Sequence, residues 1–474
     1  MSGTQHGTSE TTALDRAGFY LLTLCVVLAP IPFGSSNGMS TALIAVLLAL
    51  CLLGSVFLVM PNDRAQRLFR ATMLLSGVVV LWSLAQASPW HSSSAAHPIS
   101  SEAARLIEDV PSPVSVLGYQ ILQSTGYVLI PLIGFMCALV YIRDDGRYTS
   151  FVQTVLGLNL AITVFCLGQY IVSPRSLLWA DKLHYLDAFT GTFVNPNTAA
   201  THFGFLLMLA LSSTLRLLER ANPYRLIFVQ DRLSARDHGI VRMLTVYAIA
   251  TFVFMIALLL TKSRAGIIST LVGVVGFVAS FSYFALRRRA SLARTMGISA
   301  LWVLAVAAVS AFFGQRLLLR LQDEGLVEAG RLCTYESTWN AIKEGSWWGS
   351  GLGTFQDLFP SYRLPACGLY GHWEMAHSVF LEGWLALGIV FLPCVVVVYF
   401  QLIRTYARGV LARRRFRHVP LCCLCLLLVL TLHSLVDFSL QVPGFSLVAA
   451  AILGAGATVA LGRDQGGRQD TAVA

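Results

Sequence analysis

With 56% hydrophobic and 12% charged residues over 474 positions, and a mean hydropathy of +0.68, the chain is too apolar for a soluble fold. A polytopic membrane protein is the class these values leave. The formal charge of +10 does not signal nucleic acid, because the basic residues sit in short clusters between apolar runs, as orientation signals do.

Apolar runs follow one another at 17–34, 39–60, 70–87, 118–142, 150–172, 197–217, 242–261, 265–286, 296–314, 377–402, 420–440 and 444–462. Each is near the roughly 20 residues that cross a hydrocarbon core. The pattern predicts an all-α membrane helix bundle of about twelve transmembrane helices. Met1 to Asp15 is polar and lacks a basic n-region, and no small-residue cleavage site follows the first run, so that run is expected to remain as an anchor.

Placing the N-terminus in the cytoplasm and alternating the loops puts 24 of the 34 Lys and Arg residues inside. Arg64, Arg67 and Arg70 fall there, as do Arg143 and Arg147, the stretch from Arg216 to Arg242, Arg287-Arg288-Arg289, Arg404 to Arg417, and the tail with Arg463 and Arg468. Opposite lie Ser88–Leu117, Ser173–Pro196, the short Lys262-Ser263-Arg264 turn and the long polar stretch Gln315–Ala376. The resulting division is 1–314 for the first nine helices with outer loops at 88–117 and 173–196, 315–376 for a periplasmic loop domain, and 377–474 for the last three helices and a cytoplasmic tail.

A polar segment as long as 315–376 must stand in water beside the bilayer, which makes it the expected roof of an active site. The 88–117 segment mixes His91, His97, Glu102, Arg105, Glu108 and Asp109 with Pro and Ser, which suits a lid carrying a short amphipathic helix. Most of the ten cysteines lie in apolar runs and read as small core side chains. Cys333 and Cys367 both fall in the long outer loop, where an oxidising compartment permits a disulfide whose spacing the sequence does not reveal.

No metal motif is visible, since His91, His97, His184, His202, His372, His377 and His433 lack a helical His-x-x-x-His or a Cys-x-x-Cys partner. No Walker loop, dinucleotide fingerprint or Gly-x-Ser-x-Gly elbow is present either. A metal-free and cofactor-free mechanism is expected, with the energy for bond formation carried by an activated, membrane-borne donor.

Several stretches together carry a resemblance: Gly191-Thr-Phe-Val-Asn195-Pro196-Asn197-Thr-Ala, Thr261-Lys-Ser263-Arg264-Ala-Gly266, Gly330-Arg331 leading to Gly349-Ser-Gly351-Leu-Gly353, Ala376-His377-Ser378, and His433-Ser-Leu-Val-Asp437. In their order and sidedness the chain resembles the O-antigen ligase and O-antigen polymerase superfamily. The resemblance implies a metal-independent, inverting membrane glycosyltransferase. Such an enzyme takes a glycan from undecaprenyl diphosphate at the periplasmic face of the bacterial inner membrane and joins it to an acceptor hydroxyl, on lipid A–core or on a growing glycan. The family's essential arginines match Arg264 and Arg331, and its essential histidine matches His377.

The chemistry asks for such residues independently. A guanidinium stays charged and forks onto the oxygens of a diphosphate leaving group, while a neutral imidazole can take the acceptor hydroxyl's proton. Each residue also has a plainer role open to it: Arg264 as a helix cap or headgroup contact, Arg331 as a loop charge paired with Glu328 or Glu336, His377 as an interfacial histidine. By chemistry alone His372 is as available as His377; the Ala-His-Ser context selects the latter. Asn195 and Asn197, flanking Pro196, are either N-caps or contacts to the donor. Trp347-Trp348 with the glycines after them reads as an interfacial anchor and hinge, or as a platform on which Trp348 stacks sugar. His433 and Asp437, spaced i, i+4, are expected on one helix face, as a functional intramembrane polar pair or as a structural hydrogen bond. Transfer to a protein hydroxyl shares the same donor chemistry, and a transporter of lipid-linked glycan is the rival from another class.

Overall fold

The computed structural model describes residues 3–58, 60, 62–88, 96–106, 114–117, 120–220, 235–287, 329–345, 347–368 and 372–462. The expected run at 296–314 lies outside these residues, as do His91, Glu108 and Asp109. Nine helices among the described residues are long and apolar enough to cross a membrane, and a shorter apolar helix covers His418–Ser434. The chain is therefore an all-α polytopic membrane protein.

In chain order the helices are α1 (Gly3–Leu28), α2 (Gly38–Ser55), α3 (Asp63–Ala87), α4 (Pro98–Leu106), α5 (Gln120–Tyr141), α6 (Asp145–Val172), α7 (Pro196–Arg220), α8 (Ala235–Leu260), α9 (Arg264–Arg287), α10 (Ala329–Glu344), α11 (Phe355–Tyr362), α12 (Val379–Leu387), α13 (Phe391–Ala412), α14 (His418–Ser434) and α15 (Pro443–Leu461). A small antiparallel hairpin, β1 (Ser176–Leu177) and β2 (Ala180–Asp181), precedes α7.

Local chemistry sets these limits. Pro30 and Pro32 cannot continue a helix, so α1 stops at Leu28, short of the apolar run's end at 34. The Asn62 side chain accepts the Ala65 N–H at 2.8 Å and starts α3 ahead of its apolar run, which carries Arg64, Arg67 and Arg70 onto the helix. Asp144 does the same for α6, accepting from Gly146 and Arg147. The run beginning at 377 is interrupted at Gly388 by a 3₁₀ turn, Gly388–Val390, so one long span is built from α12 and α13.

α15 is the central post of the bundle, with 89% of its apolar window buried inside the protein, and α7 follows at 78%. α2, α3 and the α12–α13 span, at 28%, 22% and 22%, face outward and present their side chains to lipid. α15 packs mainly against α5, and Gly454 lets Ala138 and Phe135 approach its backbone.

The bundle has two chemically distinct ends. At one, Asp15 binds Arg147 at 2.7 Å and Arg143 at 3.3 Å, Asp145 binds the buried Arg413, and the Arg216 guanidinium stacks 3.7 Å over Phe416. Residues expected on the cytoplasmic side thus gather at one end. α7 leads from Arg216 back to Pro196, about 30 Å away at 1.5 Å per residue, and there the second end begins.

That second end is covered by α4, α10 and α11. A small core of Ala341, Phe355, Leu358, Phe359, Ala376 and Leu385 holds them, with Ile99 and Trp373 packed against it. Cys333 of α10 and Cys367 are joined in a disulfide, with Cα atoms 5.5 Å apart. Gly349 and Gly351 adopt left-handed backbone (φ +84° and +98°) and pass so close to their neighbours that a Cβ would lie 2.4 Å from the Ala386 carbonyl and 2.3 Å from the Ser115 hydroxyl. Backbone bonds from Ser350 to Leu385, Gly351 to Ala386 and Val116 to Ser350 stitch this strip between the top of α12 and the 114–117 segment.

Candidate active site

The site is built where the start of α7, the 261–264 turn, α10, the 376–378 turn and the 433–441 turn meet. Asn195 accepts the Asn197 N–H at 2.7 Å across Pro196, which is a capping contact at the helix start. Asn197 is free of that duty. Its side chain donates to Asp437 Oδ2 at 2.8 Å and accepts from the Ser263 hydroxyl at 2.7 Å, and all three side chains are buried.

Ser263 is the last residue before α9. Its hydroxyl also accepts the Gly266 N–H at 3.2 Å, and Gly266 brings this turn against Ala200 of α7, where a Cβ would stand 2.4 Å from the alanine's own. Arg264 is therefore the first residue of α9, half-buried. A cation at a helix N-terminus opposes the helix dipole. Lys262, left-handed at φ +58°, bonds Asp187 at 2.7 Å and ties the turn to the 176–189 segment.

Asp437 is fully buried. Besides Asn197 it accepts from the Ser439 hydroxyl at 2.8 Å, and the Arg331 guanidinium lies 4.0 Å away. Arg331 also donates to the Val436 carbonyl at 3.1 Å, so α10 is fastened to the 433–441 turn through this one side chain. The expected helix-face pair of His433 and Asp437 needs correction. α14 ends at Ser434, with Leu435 as its C-cap, and Asp437 lies in the turn beyond. His433 Nδ1 instead meets Thr201 Oγ at 3.1 Å and Ser439 Oγ at 3.4 Å. Thr201 gives its proton to the Asn197 carbonyl and Ser439 gives its own to Asp437, which assigns the His433 proton to Nδ1 and leaves a buried Nε2 with no hydrogen-bond partner.

His377 is reached by a left-handed backbone (φ +55°), a strained position for a non-glycine residue. Its carbonyl accepts the Tyr335 hydroxyl at 3.0 Å, and Tyr335 stands one helical turn after Arg331 on α10. The imidazole packs between Trp373 and Phe438, with Nδ1 buried and unpartnered. Burial first, and the nearby Arg331 second, lower its pKa to about 4, while Asp437 pulls the other way. The ring is neutral at physiological pH.

The structure thus brings Asn197, Arg331, His377, His433 and Asp437 together, with Arg264 beside Ser263 on the same rim. Two candidates stand apart. His372 is exposed. Trp348 packs on Trp82, and its carbonyl accepts from Gln86, which anchors the glycine strip to α3. Ser263, Thr201, Tyr335 and Ser439 complete the network, and of these only Ser263 lies in a stretch singled out in the sequence. Glu382 belongs with them: its carboxylate accepts the Ala376 N–H at 2.7 Å, and an acidic residue inside an apolar run was the signal that marks it.

Residues 249–396 match the model of the O-antigen ligase family. Over this segment the chain is similar to O-antigen ligases. The match spans Arg264, Arg331 and His377 and supports a ligase- or polymerase-type membrane enzyme of polysaccharide biosynthesis. Among curated proteins, none matches the chain. The matched segment ends before His433 and Asp437, which reach the site from the end of α14 and the turn after it.

Proposed function

We propose that this O-antigen ligase-family enzyme transfers a glycan from undecaprenyl diphosphate to an acceptor hydroxyl at the periplasmic face of the inner membrane, without a metal ion and with inversion at the anomeric carbon. The observation that carries the reading is the arrangement of a neutral, half-buried imidazole beside the guanidinium of Arg331, with Arg264 placed on the rim by the bonded Ser263–Asn197–Asp437 chain.

In this mechanism the diphosphate of the donor lies against Arg264 and Arg331. Both interactions strengthen as the bond from the anomeric carbon to the diphosphate oxygen breaks and charge collects on the leaving group. The acceptor oxygen attacks the opposite face of that carbon and passes its proton to His377. Nε2 is the nitrogen for this, because Nδ1 is enclosed. A pKa near 4 makes a weak base of the resting imidazole, and the arriving diphosphate raises it by opposing the charge of Arg331. Anion binding thus offsets what burial and Arg331 take from the base where the donor is present.

The polyprenyl chain stays in lipid throughout, since each methylene moved into water costs about 0.8 kcal/mol. Purified enzyme in nanodiscs, given lipid-linked donor and acceptor in chelator, should release undecaprenyl diphosphate and form the new glycosidic bond. Transport of donor without its consumption would overturn the proposal in favour of a flippase. His377→Ala should bind donor yet lose roughly 10²–10⁴ in transfer, whereas near-normal transfer by His377→Ala with loss in His372→Ala would move the base. Reporters fused near Arg331 and Arg414 should lie on opposite sides of the membrane.

A further inference from the structure

Glu382 is the fourth residue of α12, inside a span whose neighbours Val379, Phe380, Leu381, Trp384 and Leu385 are apolar. A carboxylate in that setting is expensive unless hydrogen bonds satisfy it. One oxygen, Oε2, accepts the backbone N–H of Ala376 at 2.7 Å, which is the peptide immediately before His377. The side chain of Gln441 also faces this carboxylate and favours its charged form. Gln441 ends the 3₁₀ turn Ser439–Gln441, and Ser439 holds Asp437. Gln441 Oε1 is buried without a partner, which leaves its amide nitrogen as the end that can serve the carboxylate.

Two loops far apart in sequence therefore meet on one side chain. The 376–378 turn carries His377 in its strained conformation, and the 437–441 turn carries the carboxylate that holds Arg331. We infer that Glu382 is a positioning residue for the transfer reaction: by bonding the peptide before His377 and meeting Gln441 of the second turn, it fixes where the His377 imidazole stands relative to the Arg331–Asp437 pair. It touches neither donor nor acceptor. With the tie cut, the left-handed backbone at His377 is free to relax towards ordinary φ, carrying the ring away from the line of attack.

This inference rests on His377 being the base, so the test separates the two. Glu382→Leu, Glu382→Gln, Gln441→Leu and His377→Ala are compared with the unaltered protein in nanodiscs, after each is shown to elute as a single monodisperse species. The readouts are kcat and the KM for lipid-linked donor. Glu382→Leu is expected to lower kcat about 10- to 100-fold, the penalty of a misplaced group, with donor KM changed by less than about twofold because diphosphate contacts are intact. Glu382→Gln should recover most of the lost rate. Its amide oxygen accepts from Ala376, and Gln441 can turn its own amide to offer the idle Oε1. Gln441→Leu removes the other half of the tie and should show the same split, and it carries the test if Glu382→Leu does not fold.

Unaltered kcat in Glu382→Leu, or in Gln441→Leu where the first variant is unfolded, overturns the inference. So does a Glu382→Gln enzyme as slow as Glu382→Leu, which would mean that the charge and not the hydrogen bond matters. Normal turnover by His377→Ala refutes the base assignment itself. An inactive His377→Ala beside a normal Glu382→Leu refutes only the tie.

Discussion

Replacing Arg331 by alanine leaves the buried Asp437 carboxylate without the guanidinium that stands 4.0 Å from it. At that separation, with an effective dielectric constant near 20, the attraction is about 4 kcal/mol. The guanidinium is 19% exposed, so water screens part of this and about 2 kcal/mol is a fair net value. Loss of the bond to the Val436 carbonyl adds about 1 kcal/mol. Arg331→Ala should therefore destabilise the protein by about 3 kcal/mol as well as abolish transfer. Adding Asp437→Asn removes the stranded charge while its amide oxygen still accepts from Asn197, so the double variant should regain most of the stability and none of the activity. Thermal unfolding in detergent, read beside product formation, makes the comparison. Equal midpoints for Arg331→Ala and Arg331→Ala/Asp437→Asn would refute the account, because Asp437 would then carry no uncompensated charge in the single variant.

Three further outcomes are expected. His377 is depressed to about 4 from an ordinary 6.5, so its base form exists above the lower value and is lost as pH falls through it; kcat/KM should stay level through neutral pH and decline only near pH 4, and an acid limb at 6.5 would contradict the burial of the ring. Gly351→Ala combines a left-handed backbone, worth about 1–2 kcal/mol, with a collision at the Ser115 hydroxyl, whereas Gly368→Ala at φ +73° meets nothing within 4 Å and carries the strain alone; a smaller drop in unfolding midpoint for Gly351→Ala would count against the stitched strip. Cys333 and Cys367 are 34 residues apart, a loop whose closure is worth up to about 4 kcal/mol, so Cys333→Ser should make α10 and α11 sensitive to limited proteolysis and reduce transfer with them.

Much of the architecture follows from the length of the apolar runs, because a bilayer demands helices of one size and a sequence either supplies them or does not. The site residues named by motif also converge in part: Asn197, Arg331, His377 and Asp437 lie within one bonded cluster. What sequence order hid were contacts across the chain. The tie from Glu382 to Gln441, the Tyr335 bond to the His377 carbonyl and the Gln86 bonds to Trp348 and Ala386 join residues with no shared periodicity or spacing. The helix-face reading of His433 and Asp437 failed for a related reason. Apolar residues continue through 435, 436 and 438, so composition gives no sign that the backbone turns at Leu435 to aim a carboxylate at Asn197.

The placement of α15 at the centre of the bundle bears on biogenesis. This helix emerges from the ribosome after every helix it packs against, yet it is the most enclosed of them. The earlier spans enter the bilayer around a slot that 443–461 fills, and Gly444, pressed against the Ala29 and Gly34 carbonyls, closes the seam between the 29–37 loop and α15. A premature stop before residue 443 would remove the post and not the rim, and would leave an inserted but uncompacted intermediate for membrane proteases. Supplying α14 and α15 as a separate polypeptide should rescue such a truncation, as split polytopic proteins reassemble by packing helices that are already inserted.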